Sequence, residues 1–158
     1  MSRHFPFPVR LVVVMPVAAM LLLTGLFAGA AKADDTPEIL AGAKLVAAED
    51  VVKAVAGGAV LIDTRVASEY ADAHIKGAVS VPYREKSVKA ANYDASQDQF
   101  DLAKLPADKA AAVIMYCNGP ECWKSLKASA VAVKGGYTNI LYYRLGIPDW
   151  KSKGLPTE

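Results

Sequence analysis

Cysteine is almost missing from this chain. Its 158 residues hold two, Cys117 and Cys122, and histidine is as scarce, at two. So few and so scattered, they offer no metal-site spacing, and neither a metal nor a cofactor is expected. A Cys-x-x-Cys redox motif is also absent. A bridge between Cys117 and Cys122 would close only a small ring and add little to global stability. No basic stripe interleaved with aromatics is present, which argues against nucleic acid as a partner. No internal repeat and no oligomerisation signal is visible.

Acidic residues are missing from the first 33 positions, while Arg3, Arg10 and Lys32 lie there. Leu11 to Ala31 is almost wholly apolar, and Ala31-Lys32-Ala33 is a small-x-small site followed by Asp34-Asp35. This is the layout of a secretory signal peptide, residues 1–33, and it predicts a periplasmic protein. The rival reading is an uncleaved anchor, because the apolar run approaches spanning length. Pro16, Gly25, Gly29 and the cleavage site favour removal. Residues 1–33 hold three of the 18 basic residues and none of the 16 acidic ones, so the rest is near neutral. The basic balance belongs largely to the export signal. Residues 34–43 are read as a flexible leader, and 44–158 as one folded domain. Export also means an oxidising compartment, where two cysteines form a disulfide by default.

The chain is organised around Tyr116-Cys117-Asn118-Gly119-Pro120-Glu121-Cys122-Trp123-Lys124-Ser125. An apolar run, Ala111 to Met115, leads into it, and a helical pattern, Leu126 to Lys134, follows. The first amides of a helix lack partners within it and favour negative charge. A thiol at the end of a buried strand, facing such amides, ionises more easily, and the thiolate is the reactive form. Cys117 is therefore read as a nucleophile.

Elsewhere the pattern alternates. Leu45-Val46 is a short strand, and Ala48 to Ala56 a helix with Glu49 and Asp50 in its first turn, stopped by Gly57-Gly58. Ala59 to Ile62 is an unbroken apolar strand, of the kind buried on both faces of a parallel sheet. Ser68 to Ala73 reads as a helix with Ser68 as N-cap. Ala78 to Val81 is a strand stopped by Pro82. Residues 83–109 are polar and predict a long loop with one or two short helices. Ala111 to Tyr116 is the fourth strand. The next helix has Leu126, Ala130 and Val133 on one face. Asn139 to Tyr143 is the fifth strand, and Ile147 to Lys153 the last helix, with Trp150 facing the core. Alternating strands and helices predict an open parallel-type sheet covered on both faces. Ligand sites in such sheets lie beyond the strands' carboxyl ends, where Cys117, Asp63 to Arg65 and Val81 to Tyr83 fall.

Several pieces stand in a familiar order: Val60 to Arg65, Glu69-Tyr70, His74 to Tyr83, Val113 to Cys117, Gly135 to Ile140, Gly146 to Trp150 and Gly154 to Pro156. Together, over roughly residues 45–156, they resemble a single-domain, exported rhodanese-like sulfurtransferase. The resemblance implies an α/β, three-layer rhodanese-like fold, with a five-stranded, largely parallel sheet and helices on both faces. It also implies that Cys117 carries sulfane sulfur as a persulfide and passes it to a thiol or cyanide. The active-site loop is atypical, Cys-x4-Cys-Trp. Matching Ser125 to the family's serine makes the loop two residues longer and puts Lys124 where the family has Arg. Keeping loop length instead puts Cys122 at the Arg position. Leu145 replaces the first of two family glycines. These departures put thiosulfate as the preferred donor in doubt and leave Cys117 in place.

Each further residue has a bland reading beside the functional one. Cys122 is either a resolving or relay thiol or an inert loop residue. Asn118, Gly119, Pro120, Glu121, Trp123 and Lys124 form the substrate-binding loop. Within it, Lys124 is an anion holder or a solvated lysine, Glu121 a solvated carboxylate, and Trp123 better placed for core packing than for walling the pocket. Backbone amides from Asn118 onward could cradle a persulfide. Asp63 and Arg65 are a supporting charge pair, and His74 a scaffold residue. Expected partners are a small sulfur-containing anion or low-molecular-weight thiol and a periplasmic redox protein, with a membrane only if the leader stays uncleaved. Alternatives are a thiol–disulfide redox protein using both cysteines, a non-enzymatic persulfide carrier for a periplasmic oxidation system, and a phosphatase or arsenate reductase. The last needs an Arg closing the anion loop, and this stretch holds none.

Overall fold

The structure is a computed structural model that describes Met1 and residues 35–158. The predicted signal segment therefore lies, but for Met1, outside the described residues. In chain order the elements are β1 (Ala43–Leu45), α1 (Ala48–Ala56), β2 (Val60–Asp63), α2 (Ala67–Asp72), β3 (Val79–Ser80), β4 (Val113–Tyr116), α3 (Trp123–Lys134), β5 (Ile140–Tyr143) and α4 (Gly146–Ser152). The five strands form one sheet in the order β1-β5-β4-β2-β3, and every pairing is parallel.

The period-two alternation of strands builds two cores from one sheet. On β4, Val113 and Met115 face a cluster with Ala128, Ala132 and Tyr137. Ile114 and Tyr116 face the opposite cluster with Val51, Ile147 and Trp150. Along β2 the same alternation sends Leu61 to one side and Ile62 to the other. The inner strands β2, β4 and β5 bury both faces, which is why they read as unbroken apolar runs. The α/β three-layer fold expected from the sequence is present.

Several local expectations change. Helix α2 is not capped by Ser68: it starts at Ala67 after Val66, whose amide donates to Glu69 Oε2 at 3.2 Å. Helix α3 begins at Trp123 rather than Leu126, with Cys122 as its N-cap residue. Its buried set is Trp123, Ser125, Leu126, Lys127, Ala128, Ser129 and Ala132, whereas Ala130 and Val133 are only half-buried. The single-face reading fails because the 83–109 segment covers a second side of this helix. That segment carries two short 3-10 turns, Ala95–Gln97 and Leu102–Lys104.

Lys127 fastens the segment. Fully buried, it donates from Nζ to Ser87 Oγ at 2.8 Å and to the Val88 carbonyl at 3.0 Å. Glu85 Oε1 lies 2.7 Å away, an ion pair in distance without hydrogen-bond alignment. Asp98 Oδ2 is 3.7 Å away. Asp98 in turn accepts from the Lys86 and Ser87 amides, the Ser87 hydroxyl and the Tyr83 hydroxyl. Burial opposes the Asp98 charge, but these hydrogen bonds more than offset it and hold its pKa well below the usual carboxylate range.

In the described part of the leader, one residue is held against the domain. Thr36 is buried. Its amide and its hydroxyl both donate to the Pro120 carbonyl at 2.8 Å. Tyr142 donates to Thr36 Oγ1 at 2.8 Å, and Arg144 Nε to the Thr36 carbonyl at 2.9 Å. The strap reaches the loop that follows β4.

Candidate active site

Three strand ends meet at the carboxyl edge of the sheet, and the loop after β4 runs between them. Asp63 and Arg65 make a buried pair: Arg65 donates to both Asp63 oxygens, with Nη2 to Oδ2 at 2.6 Å. A second Nη2 bond goes to the Ala73 carbonyl at 2.7 Å. Burial works against the Arg65 cation, and Asp63 more than offsets it, so the pKa is raised. Tyr116 donates to Asp63 Oδ2 at 2.6 Å. Burial first, and then the Asp63 carboxylate, push the Tyr116 phenol up. Thr64 Oγ1 donates to the Tyr116 carbonyl at 2.8 Å. The expected charge pair thus holds the floor on which the loop starts.

Asn118 is exposed and held from two sides. Its Oδ1 accepts from Arg65 Nη1 at 3.5 Å, and its Nδ2 donates to Glu69 Oε1. The chain then turns over Gly119 to Cys122, with the Cys122 amide donating to the Gly119 carbonyl at 3.0 Å. Pro120 occupies the second turn position, which its fixed φ favours. That bond uses one of the amides expected to cradle a persulfide. From the first turn of α4, the Ile147 amide donates to the Cys117 carbonyl at 3.0 Å. Trp123 packs with Leu126 and Tyr142, the core role expected of it.

The sulfur of Cys117 is bonded to that of Cys122, across a Cα–Cα distance of 6.2 Å, within the range usual for disulfides. Continuing the β4 alternation one residue past Tyr116 turns Cys117 towards the α3 side, and Cys122 caps that helix. The expectation of a reachable, ionised Cys117 is therefore not met in this state: the residue is 0 % exposed and carries no thiol. Cys122 is half-buried. It lines a groove of about 320 Å³ with Glu85, Lys89, Asn118, Glu121, Trp123 and Lys124. Lys124, in the first turn of α3, lines the same groove. His74 stays a scaffold residue, its ring stacked on Tyr70 at 3.7 Å and its Nδ1 2.9 Å from the Tyr70 carbonyl. Among the described residues, no cluster of three or more His, Cys, Asp or Glu could hold a metal.

The rhodanese-like domain profile matches residues 47–153. The chain belongs to the rhodanese-like family. A thiosulfate sulfurtransferase of Pseudomonas aeruginosa has a similar fold, with TM-score 0.54 and 24 % identity over 73 % of this chain and 20 % of that one. A Saccharomyces cerevisiae protein of unstated function aligns at TM-score 0.51 and 27 % identity, over 70 % of this chain and 92 % of that one. An HTH-type transcriptional regulator of Mycobacterium tuberculosis is 28 % identical over 103 residues, which is 65 % of this chain and 39 % of the regulator. The chain thus spans well under half the length of that relative. Rhodanese-like folding accounts for the carboxyl-edge site.

Three contributors escaped sequence reasoning: Thr36, Arg144 and Lys127. Thr36 sits in a polar leader, Arg144 in an apparent turn, and Lys127 in a helix where a lone lysine looks solvated. The one available signal was for Lys127: the acids Glu85 and Asp98 fall in the segment that covers it.

Proposed function

We propose that this rhodanese-like protein is an exported sulfurtransferase that works in the periplasm, and that the Cys117–Cys122 disulfide is its closed, resting form. The observation that carries the reading is the pairing of Cys117, at the carboxyl end of β4, with the residue that caps α3. On reduction, Cys117 becomes a thiol at a helix N-terminus, where negative charge is favoured. Its thiolate attacks the outer sulfur of thiosulfate or another sulfane donor. The new S–S bond forms, the donor's bond breaks, and sulfite leaves with the electron pair. A thiolate or cyanide then removes the outer sulfur and restores the Cys117 thiolate. Where no acceptor arrives, the Cys122 thiolate attacks the inner sulfur, expels hydrosulfide and closes the disulfide again. Lys124 helps to attract the anionic donor. The partners are a small sulfur anion, a low-molecular-weight thiol, and a reducing protein of the same compartment.

A second reading is favoured by the disulfide itself: a thiol–disulfide redox protein, with no sulfur transfer. Turnover separates the two. Reduced protein given thiosulfate and cyanide is expected to form thiocyanate, and Cys117→Ser to form none. Thiocyanate at the uncatalysed rate from reduced, folded protein would leave only the redox reading.

A further inference from the structure

A disulfide offers an incoming nucleophile two sulfurs, and the choice decides which cysteine is released. The attacked sulfur takes the new bond, and the other departs as a thiolate. We propose that this disulfide is opened from one side only: a small anionic sulfur nucleophile, thiolate or sulfite, comes through the groove beside Lys124 and attacks Cys122 Sγ. The inference rests on the disulfide resting form proposed above, but not on sulfur transfer itself.

Access favours Cys122. It is half-buried and lines the groove, whereas Cys117 has no exposed surface. The backbone around Cys117 is also held in place. Its carbonyl is bound by the Ile147 amide, and Thr36 holds the Pro120 carbonyl with two hydrogen bonds. Of the two chain neighbours of Cys117, Tyr116 is buried and Asn118 is exposed but held by Arg65 and Glu69.

Charge also tolerates an anion at the groove. Lys89 and Lys124 line it together with Glu85 and Glu121, and Glu85 lies 2.7 Å from Lys127. The N-terminus of α3, a helix of 12 residues, begins immediately after Cys122. The same terminus favours the thiolate that departs on Cys117. One attack would therefore leave the reductant on Cys122 and the sulfur-accepting group already ionised on Cys117. A second thiolate then attacks the outer sulfur of the Cys122 mixed disulfide, releases the reductant as its own disulfide, and frees Cys122.

Sulfite reads the choice directly, since it leaves a stable S-sulfonate on the sulfur it attacks and a thiolate on the other. The oxidised full chain, treated with sulfite under native conditions, is alkylated and its peptides mapped. The expected result is S-sulfonate on Cys122 and alkyl on Cys117, in about tenfold excess over the reverse pattern. Lys124→Gln should slow the reaction about threefold at low ionic strength, the difference fading with added salt. S-sulfonate chiefly on Cys117, or shared evenly, would overturn the proposal. So would an unreactive native disulfide that reacts once the protein is unfolded in urea, or a Lys124→Gln rate equal to the parent's. Loss of thiocyanate formation in reduced protein would count against the sulfurtransferase reading and leave this one standing.

Discussion

A Cβ placed on Gly146 would lie 2.1 Å from the Cys117 carbonyl oxygen and 2.9 Å from the Gly119 nitrogen, at a φ of +61°. Both the conformation and the contact require glycine there. The neighbouring Ile147 amide makes its bond to the Cys117 carbonyl only because the start of α4 and the cysteine loop come this close. Gly146→Ala should therefore displace the cysteine loop as well as strain its own turn. The expected cost is about 3 kcal/mol of stability, measured by urea unfolding. In the folded fraction, the Cys117–Cys122 disulfide should be reduced faster than in the parent. The sequence marked Gly146 only through its place in a familiar run of residues, since a requirement for close backbone approach leaves no local pattern.

The elements around the site were legible where burial imposes a period. Strand β4 and helix α1 follow from apolar spacing, and the predicted α1 agrees with Ala48–Ala56. Contacts between segments distant in sequence were not legible. Thr36 to Pro120 spans 84 positions, and no local property of residues 34–43 announces such a bond. The start of α3 was misplaced because Trp123 and Lys124 looked like loop residues until the helix took them up. The strap itself makes a prediction. Thr36→Val removes the hydroxyl bond to Pro120 and the acceptor of the Tyr142 hydroxyl, a loss of about 1–3 kcal/mol for groups left unpaired in the interior. Reduction of the disulfide by dithiothreitol should speed up severalfold in Thr36→Val and return close to the parent rate in Thr36→Ser. Equal rates in all three proteins would mean that the strap has no hold on the loop.

On the scale of the whole molecule, the long 83–109 segment is fixed to α3 by a buried charge cluster around Lys127, alongside the apolar contacts of Tyr83, Phe100, Leu102 and Leu105 with the core. Its pH dependence follows from Asp98. The folded protein holds this carboxyl's pKa below its unfolded value of about 3.9. The stabilisation is therefore complete above that value and is lost as pH falls through it towards the folded one. Urea unfolding at a series of pH values should show the parent losing stability below about pH 4. Asp98→Asn should be less stable at neutral pH and have a flatter acid limb, so that the two curves converge in acid.

The central claim is that Cys117 accepts sulfur only once its bond to Cys122 is opened. Intact mass and peptide mapping after incubation with thiosulfate test it most directly, on oxidised parent, reduced parent and Cys122→Ser. The account predicts no change in the oxidised protein and one added sulfur on Cys117 in the other two, the adduct persisting longer in Cys122→Ser. A sulfur gained by the oxidised protein with its disulfide intact, or none gained on Cys117 by either reduced form, would contradict it.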